Sequence, residues 1–577
     1  MRFISVAALA IALAPSASFA LIDPFHAPEI ISSLWQAIGL PDLAAPFKTT
    51  LQLTEANLDG LAARMEQIAA EGSGKWLSDD ELKSYIAPSA DALSTVTNYL
   101  KQQGVNPNSI TTSKFGDQIT FVSSIGTLQT LFQTKFENYK LNAEGGGVVP
   151  RARNYTVPAP LTGLIKSAFP ISSFGVPKTL APIVSWSDGS DLPVEIRDLE
   201  KRATYTQCNN SAVTPACLRD AYETSSYTPS SSTDRAITIA SFIGQNFNQN
   251  DLTTFLKRYR PDASGVRVKY TDTAGGLTIP FFPGGVEVML DIETSVSATY
   301  PLVNDIVNYG NSFTQGDIFN LFAQYFLNMD QSKRPGVISI SYGSNEASQS
   351  LAEAQTMCAS MQKLTATGTT VVVASGDKGV AGNGGQCSAA GSPFIPTYPG
   401  GCPYVLSVGA TENFPERMVS LAQSKFTSGA GFSNVFPRPS YQDAGVQSYL
   451  SQIGTANSGQ YNSSGRSFPD VAAAGSNYVV YTGGKFALVG GTSAACPTVA
   501  SLFALLNDAR KKVGKGRVGY VHPVLYSNPD AFYDITTGSS IQCGPTGTSG
   551  FSATTGFDTP SGLGAPRFSK LRSIFGA

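Results

Sequence analysis

The chain holds 577 residues, of which 14% are charged, with 40 Lys and Arg against 42 Asp and Glu and a net charge of −2. That length accommodates two or three domains, and so sparse and balanced a charge argues against a nucleic-acid binder. Plentiful Gly, Ser, Thr and aromatic residues suit a secreted globular protein. At its start, Met1–Ala20 reads as a secretory signal: Arg2, an apolar run from Ile4 to Ala14, then Ser18-Phe19-Ala20 with small residues at the cleavage-specifying positions. No later stretch is long and apolar enough to span a bilayer, so an extracellular product without a membrane partner is expected.

From Leu21 to Arg202 the chain reads as a separate unit without cysteines. Leu58, Leu61, Met65 and Ile68 predict an amphipathic helix over Leu51–Ala69, and Leu93, Val96 and Leu100 predict another over Ala90–Gln103. Between them, Gly74 to Leu82 predicts a turn, an N-cap and an acidic first turn. Ile119–Ser123 and Phe136–Tyr139 read as short strands. Residues 176–202 become Pro-, Ser- and Asp-rich and lose periodicity, as a linker does. They close on Glu200-Lys201-Arg202-Ala203, whose dibasic pair is expected to mark a processing site.

Beyond that point, Val/Ile-rich runs at Ala236–Ile243, Val337–Tyr342, Thr370–Ser375 and Tyr404–Val408 alternate with helical stretches such as Asn250–Tyr259 and Thr314–Leu327. Continuous apolar strands of this kind predict an α/β fold with a parallel sheet covered on both faces. Reactive groups then belong at the carboxyl ends of the strands. All seven cysteines follow residue 207. An oxidising compartment predicts disulfides for Cys208, Cys217, Cys358, Cys387, Cys402 and Cys543, with Cys208 and Cys217 a close pair. Cys496, on a buried helix, is expected to stay free. Asn154, Asn209 and Asn462 each begin a glycosylation sequon.

The chemistry centres on Gly490-Gly491-Thr492-Ser493-Ala494-Ala495-Cys496-Pro497. A glycine pair delivers Ser493 onto the first turn of an apolar helix, where unpaired N–H groups and the positive end of the helix dipole stabilise an oxyanion. Only two histidines exist, His26 at the extreme N-terminus and His522 after the nucleophile, so a Ser-His-Asp triad in the subtilisin order is excluded and a carboxylate becomes the candidate base. Glu287 and Asp291, four apart in Gly284-Gly285-Val286-Glu287-Val288-Met289-Leu290-Asp291, share one helix face and can share a proton. Asp377, in Ser375-Gly376-Asp377 just past a buried strand, is expected to be partly desolvated and neutral, able to donate to an oxyanion.

Glu-x-x-x-Asp, Ser-Gly-Asp and Gly-Thr-Ser in this order resemble the sedolisins, or serine-carboxyl peptidases. Further matching segments are Ser339-Ile340-Ser341-Tyr342-Gly343, Pro399-Gly400-Gly401-Cys402-Pro403-Tyr404-Val405, Gly431-Phe432-Ser433-Asn434 and Arg466-Ser467-Phe468-Pro469-Asp470-Val471. Asn57-Leu58-Asp59, Tyr85-Ile86-Ala87-Pro88 and Leu131-Phe132-Gln133-Thr134-Lys135-Phe136 resemble the family's activation domain, which departs from its usual pattern at Gly72-Ser73-Gly74-Lys75-Trp76. The stretch Val213–Arg219 resembles the start of the mature enzyme in fungal members. His522 stands where relatives carry asparagine and reads as structural.

The resemblance implies a signal peptide (1–20), a propeptide (21–202) with a smaller α+β activation domain, and a subtilisin-like α/β peptidase domain (203–577). It implies Glu287 as base, Asp291 as its orienting partner, Ser493 as nucleophile and Asp377 as part of the oxyanion hole, with a Cys387–Cys543 bridge. It further implies one structural calcium held by Asp534, Asp558 and the carbonyls of Ile535, Thr554 and Gly556, Thr554 replacing a more usual glycine. Hard oxygen donors in an irregular loop suit that ion. The expected protein is a monomeric, secreted acid peptidase acting on polypeptides, restrained and chaperoned by its own propeptide. It most resembles the tripeptidyl peptidases of filamentous fungi. An endopeptidase of the same family stays open, and an inactive binding or inhibitory homologue is disfavoured by the intact Ser493, Glu287, Asp291 and Asp377.

Overall fold

The computed structural model of the chain describes residues 35–142, 147–176, 178–179, 183–190, 192, 207–231, 233–278, 282–310, 317–384 and 387–577. The signal segment, His26 and the Lys201-Arg202 pair lie outside the described residues.

In the N-terminal unit, strands β1 (Trp35–Gly39) and β2 (Pro46–Leu53) precede helices α1 (Leu58–Glu71), α2 (Asp79–Ile86) and α3 (Ala90–Gln102). Strands β3 (Gln118–Ser124), β4 (Phe136–Leu141), β5 (Val148–Ala152) and β6 (Ile165–Phe169) follow. Strand β2 lies between β3 and β6, and β4 between β1 and β5, all antiparallel. The expected helix over Leu51–Ala69 is corrected at its start. Leu51 and Leu53 alternate with polar neighbours and point into this unit's core as part of β2, and the helix begins only at Leu58. Asn57 caps it by accepting from Gly60 N. Helix α2 starts as its sequence foretells, with Ser78 and Glu81 forming a reciprocal capping box. The aperiodic linker also needs correction, because it carries two short strands, β7 (Lys178–Thr179) and β8 (Ile183–Ser187).

The C-terminal unit runs β9 (Arg235–Ser241), α4 (Gln249–Tyr259), β10 (Lys269–Thr273), α5 (Val286–Thr299), β11 (Val303–Tyr309), α6 (Ile318–Leu327), β12 (Val337–Ile340), β13 (Tyr342–Asn345), α7 (Leu351–Ala366), β14 (Thr370–Ala374), β15 (Leu406–Glu412), β16 (Val471–Ala474), β17 (Tyr478–Thr482), β18 (Lys485–Gly490) and α8 (Thr492–Lys512). Strands β10, β11, β9, β12, β14, β15 and β16 lie side by side in that order and all parallel. The period of two sends alternate residues to opposite faces. Ile237, Ile239, Val337 and Val372 face the layer holding α5 and α8, whereas Ala240, Ile338, Ile340, Val371 and Val373 face α6 and α7. Both faces are therefore buried, which is why the strands read as unbroken apolar runs. Cys208–Cys217, Cys358–Cys402 and Cys387–Cys543 are bridged, and Cys496 is free and buried, as expected.

The two units share a core. Leu61, Met65 and Ile68 of α1 and Leu82 and Ile86 of α2 join the cluster over α6 and α7. Lys363 of α7, fully buried, reaches Glu55 at 2.9 Å and Asp117 at 2.6 Å in the N-terminal unit. Arg334 meets Asp79 at 2.7 Å, and Ser173 donates to Glu353. Trp76 donates from Nε1 to Arg517 O at 2.9 Å and lies against Gly519 and Gly368, which leave room for its ring. The linker strands extend this contact: Thr179 and Lys178 pair antiparallel with Tyr342 and Gly343 of β13, and β8 pairs antiparallel with β18 so that Ile183 sits opposite Gly490.

Candidate active site

Helix α5 is buried almost throughout, so its carboxylates are largely desolvated. Glu287 and Asp291 are 2% and 0% exposed, one turn apart on one face. Ser493 occupies the first turn of α8, entered from β18 through Gly491. Between them stands Ser341, the residue that separates β12 from β13 at the carboxyl edge of the sheet. Its Oγ donates to Asp291 Oδ1 at 2.8 Å, and its carbonyl accepts from Ser493 Oγ at 3.5 Å. Asp377, just past β14, accepts at Oδ1 from Thr492 N (2.7 Å) and Thr492 Oγ1 (3.0 Å). The structure thus gathers all four expected residues where the strand ends open.

Buried oxygens here remain unpartnered among the described residues: both of Glu287, Oδ2 of Asp291 and Oδ2 of Asp377. Unmet acceptors at a buried site ask for a ligand or a proton. Burial, followed by the charge of Asp291, pushes Glu287 well above the usual carboxylate range, while the Ser493 and Ser341 hydroxyls and the charge of Asp377 have smaller effects, the hydroxyls lowering it. Burial also lifts Asp291, against the hydrogen bond from Ser341. Asp377 is pushed up to about 7 by burial, against its two bonds from Thr492. The arrangement can therefore hold one shared proton on the Glu287–Asp291 pair and another on Asp377.

Sequence reasoning quoted the Ser341 segment without giving Ser341 a part, and it missed Thr492 as the anchor of Asp377. A serine immediately after the Val/Ile-rich strand, the second in Ser339-Ile340-Ser341, was the available signal. His522 is engaged elsewhere: Nε2 lies 3.0 Å from Val405 O and 3.5 Å from Asp470, whose carboxylate pairs with buried Arg466. Free Cys496 lies 3.4 Å from Ser339 Oγ, and burial pushes its thiol up to about 12, so it packs as a small apolar side chain.

Near the C-terminus, Asp558 accepts from Thr554 N, Ser561 N and Ser561 Oγ, each at 2.8 Å, and Asp534 accepts from Gly556 N at 2.8 Å. Burial lifts Asp558 to about 7, with Asp534 adding to the rise. No hydrogen bond of the described residues ends on the carbonyls of Ile535, Thr554 or Gly556. No three His, Cys, Asp or Glu side chains gather for a metal among the described residues. An ion here would therefore draw on two carboxylates and backbone oxygens, a donor set that fits calcium.

Residues 33–174 match the pro-kumamolisin activation domain, and residues 308–520 match the subtilase family. A probable tripeptidyl-peptidase SED2 from Arthroderma benhamiae is 31% identical over 97% of this chain and 96% of that protein. Tripeptidyl-peptidase SED3 from Arthroderma otae is 32% identical over 91% of each, and aorsin from Aspergillus oryzae is 29% identical over 95% of each. The solved structure of Pseudomonas sedolisin, a serine-carboxyl proteinase complexed with pseudo-iodotyrostatin, is similar in fold. Its TM-score is 0.50 at 22% identity, covering 63% of this chain and 98% of that one. The chain belongs to the sedolisin family: it is a serine-type peptidase made as a zymogen, with an activation domain preceding a subtilisin-like catalytic domain.

Proposed function

We propose that this zymogen matures into a secreted, monomeric, acid-acting serine-carboxyl peptidase that releases tripeptides from free N-termini. The observation that carries the chemistry is the placing of Ser493 beside buried, unpartnered carboxyl groups. Glu287, sharing one negative charge with Asp291, takes the proton from Ser493 Oγ as that oxygen attacks the peptide carbonyl. Protonated Asp377, oriented by Thr492, donates from Oδ2 to the oxyanion. Glu287 then protonates the leaving amine, and a water molecule activated by the same carboxylate frees the acyl group and restores Ser493. Ser341 donates to Asp291 and so holds the pair's second carboxyl in place. Activity falls as pH rises and Asp377 loses its proton, hence the acid optimum.

The tripeptide-releasing mode takes its support from the names of the similar fungal proteins. An endopeptidase reading is favoured by one specific observation. The linker pairs with β13 through Lys178–Thr179 and with β18 through Ile183–Ser187, so the edges that flank Ser493 accept chain on both sides. Digesting a free and an N-acetylated peptide at acid pH, with products weighed by mass spectrometry, tests both. Tripeptides from the free peptide alone support the first mode, internal cuts in both support the second, and intact peptides sink the enzyme reading.

Asp534, Asp558 and the carbonyls of Ile535, Thr554 and Gly556 would hold one structural calcium, which would fasten the C-terminal loop by charge and coordination. Elemental analysis of the purified protein together with melting in chelator checks this. Absence of calcium with unchanged melting would remove it. Release of the activation domain is proposed to involve cleavage in the linker that ends at Lys201-Arg202.

A further inference from the structure

Glu287 and Ser493 come from distant parts of the chain, so something must set the helix of one against the approach to the other. Helix α5 begins after Gly285, which supplies no side-chain cap. Asp251, in the first turn of α4 and 7% exposed, lies across that start. Its Oδ2 accepts from Gly284 N at 3.3 Å and from Gly483 N at 2.9 Å. Gly483 and Gly484 form the turn between β17 and β18 with φ of +59° and +79°, a conformation glycine adopts without strain. Thr482 Oγ1 donates back to Gly284 O at 2.7 Å, and Glu293 of α5 accepts from Tyr481 N at 2.9 Å. A Cβ on Gly284 would fall 2.5 Å from Met289 Cγ and 3.0 Å from Thr482 Oγ1, so the segments are already in close contact.

One buried oxygen thus ties the backbone entering the Glu287 helix to the hairpin whose second strand ends at Gly490, just before Ser493. A carboxylate serving only its own helix would accept from that helix's free N–H groups. Here both of these acceptor bonds leave the helix. We propose that Asp251 is a positioning residue for the peptidase reaction, fixing the approach of Glu287 to Ser493 through Gly284 and Gly483. This inference rests on the reading of Glu287 and Ser493 as base and nucleophile.

The test uses the full chain, self-processed at acid pH, with an internally quenched peptide and a tripeptidyl fluorogenic amide as substrates. Covalent labelling of Ser493 counts active sites, and melting is followed in parallel. Asp251→Ala is expected to lower kcat per labelled site by about 100-fold, the scale of a displacement of about 1 Å, with KM little changed. Asp251→Asn keeps an oxygen that can accept both N–H groups and should restore most of kcat. Wild-type kcat in the alanine variant, an asparagine variant as slow as alanine, or a loss carried by KM would overturn the proposal. If Asp251→Ala yields no folded protein, Thr482→Val decides, since it removes the reciprocal tie: a lowered kcat supports the inference and an unchanged one rejects it. Activity surviving in Glu287→Gln would instead overturn the catalytic reading, independently of Asp251.

Discussion

Asp117 in the activation domain and Asp377 beside the nucleophile are both buried, at 0% and 3% exposure, yet they are shifted in opposite directions. Burial raises both, but Lys363 stands 2.6 Å from Asp117 and holds its carboxyl below the usual range. Asp377 has backbone and hydroxyl donors and the exposed Lys378, too little to offset burial. At the interface Arg334 also stands 2.7 Å from Asp79, whereas no cation pairs with Glu287 or Asp291 among the described residues. Of Asp117 and Asp377, the one with a cation built in beside it is held charged as an anchor and the one without can carry a proton. The first kind helps to hold the activation domain, and the second suits the chemistry proposed for the site.

Glu287→Gln or Ser493→Ala is expected to cost roughly 10⁴-fold or more in kcat, measured per folded molecule, because nucleophile and base act as a unit. Turnover close to wild type in either would show that the cation-free pair does not serve the reaction. At the interface, Lys363→Ala removes the cation beside Asp117, leaves Glu55 with Lys166 alone at 3.6 Å, and should cost about 3–5 kcal/mol of docking. Chemical denaturation of the precursor reads this, and adding Glu55→Gln with Asp117→Asn should recover much of it. A Lys363→Ala precursor as stable as wild type would make the pair a bystander.

Asp377 sharpens the distinction further. Asp377→Ala should lower kcat by about 10²–10³-fold, as loss of one oxyanion donor does. Asp377→Asn keeps a neutral donor with no proton to lose, so its residual activity should persist to higher pH than wild type. A pH profile for Asp377→Asn that falls with the wild-type one would assign the basic limb to another group.

The smallest effect is on melting. Unfolded Asp titrates at about 4, whereas folded Asp377 is held at about 7. Between those values the native state binds more protons, so the catalytic unit should gain stability on acidification from about pH 7 to 5. Asp117 acts in the other sense. Its contribution is complete above the unfolded value and is lost as pH falls through its lowered folded value. Calorimetry of the Ser493→Ala precursor should show the catalytic transition rising first and the activation-domain transition falling only in stronger acid. Parallel shifts of both would contradict the division.

Much of the fold was legible because its signals are local. The capping box at Ser78, the Val371–Val373 run and the stripe Leu58, Leu61, Met65, Ile68 each state their own periodicity. The helix start failed at Leu51 because a short amphipathic strand and a helix place apolar residues at overlapping spacings, and only pairing with β3 and β6 separates them. The linker failed for a related reason. Lys178–Thr179 and Ile183–Ser187 have no core of their own to imprint a pattern, and they become strands only because β13 and β18 offer open edges. Ser341 went without a role because its meaning lies in reaching Asp291 and Ser493 at once.

Composition and residue spacing alone restrict the chemistry open to this chain. Two histidines, neither preceding Ser493 within the catalytic domain, left acidic side chains as candidates for the base, and the i,i+4 spacing put Glu287 and Asp291 on one face. Only the tertiary structure decided which buried carboxyls would carry protons and which would be charged. That outcome depends on cations and hydroxyls that arrive from far along the chain, as Lys363 does at Asp117 and Ser341 at Asp291, and desolvation acts only once the surrounding layers have closed.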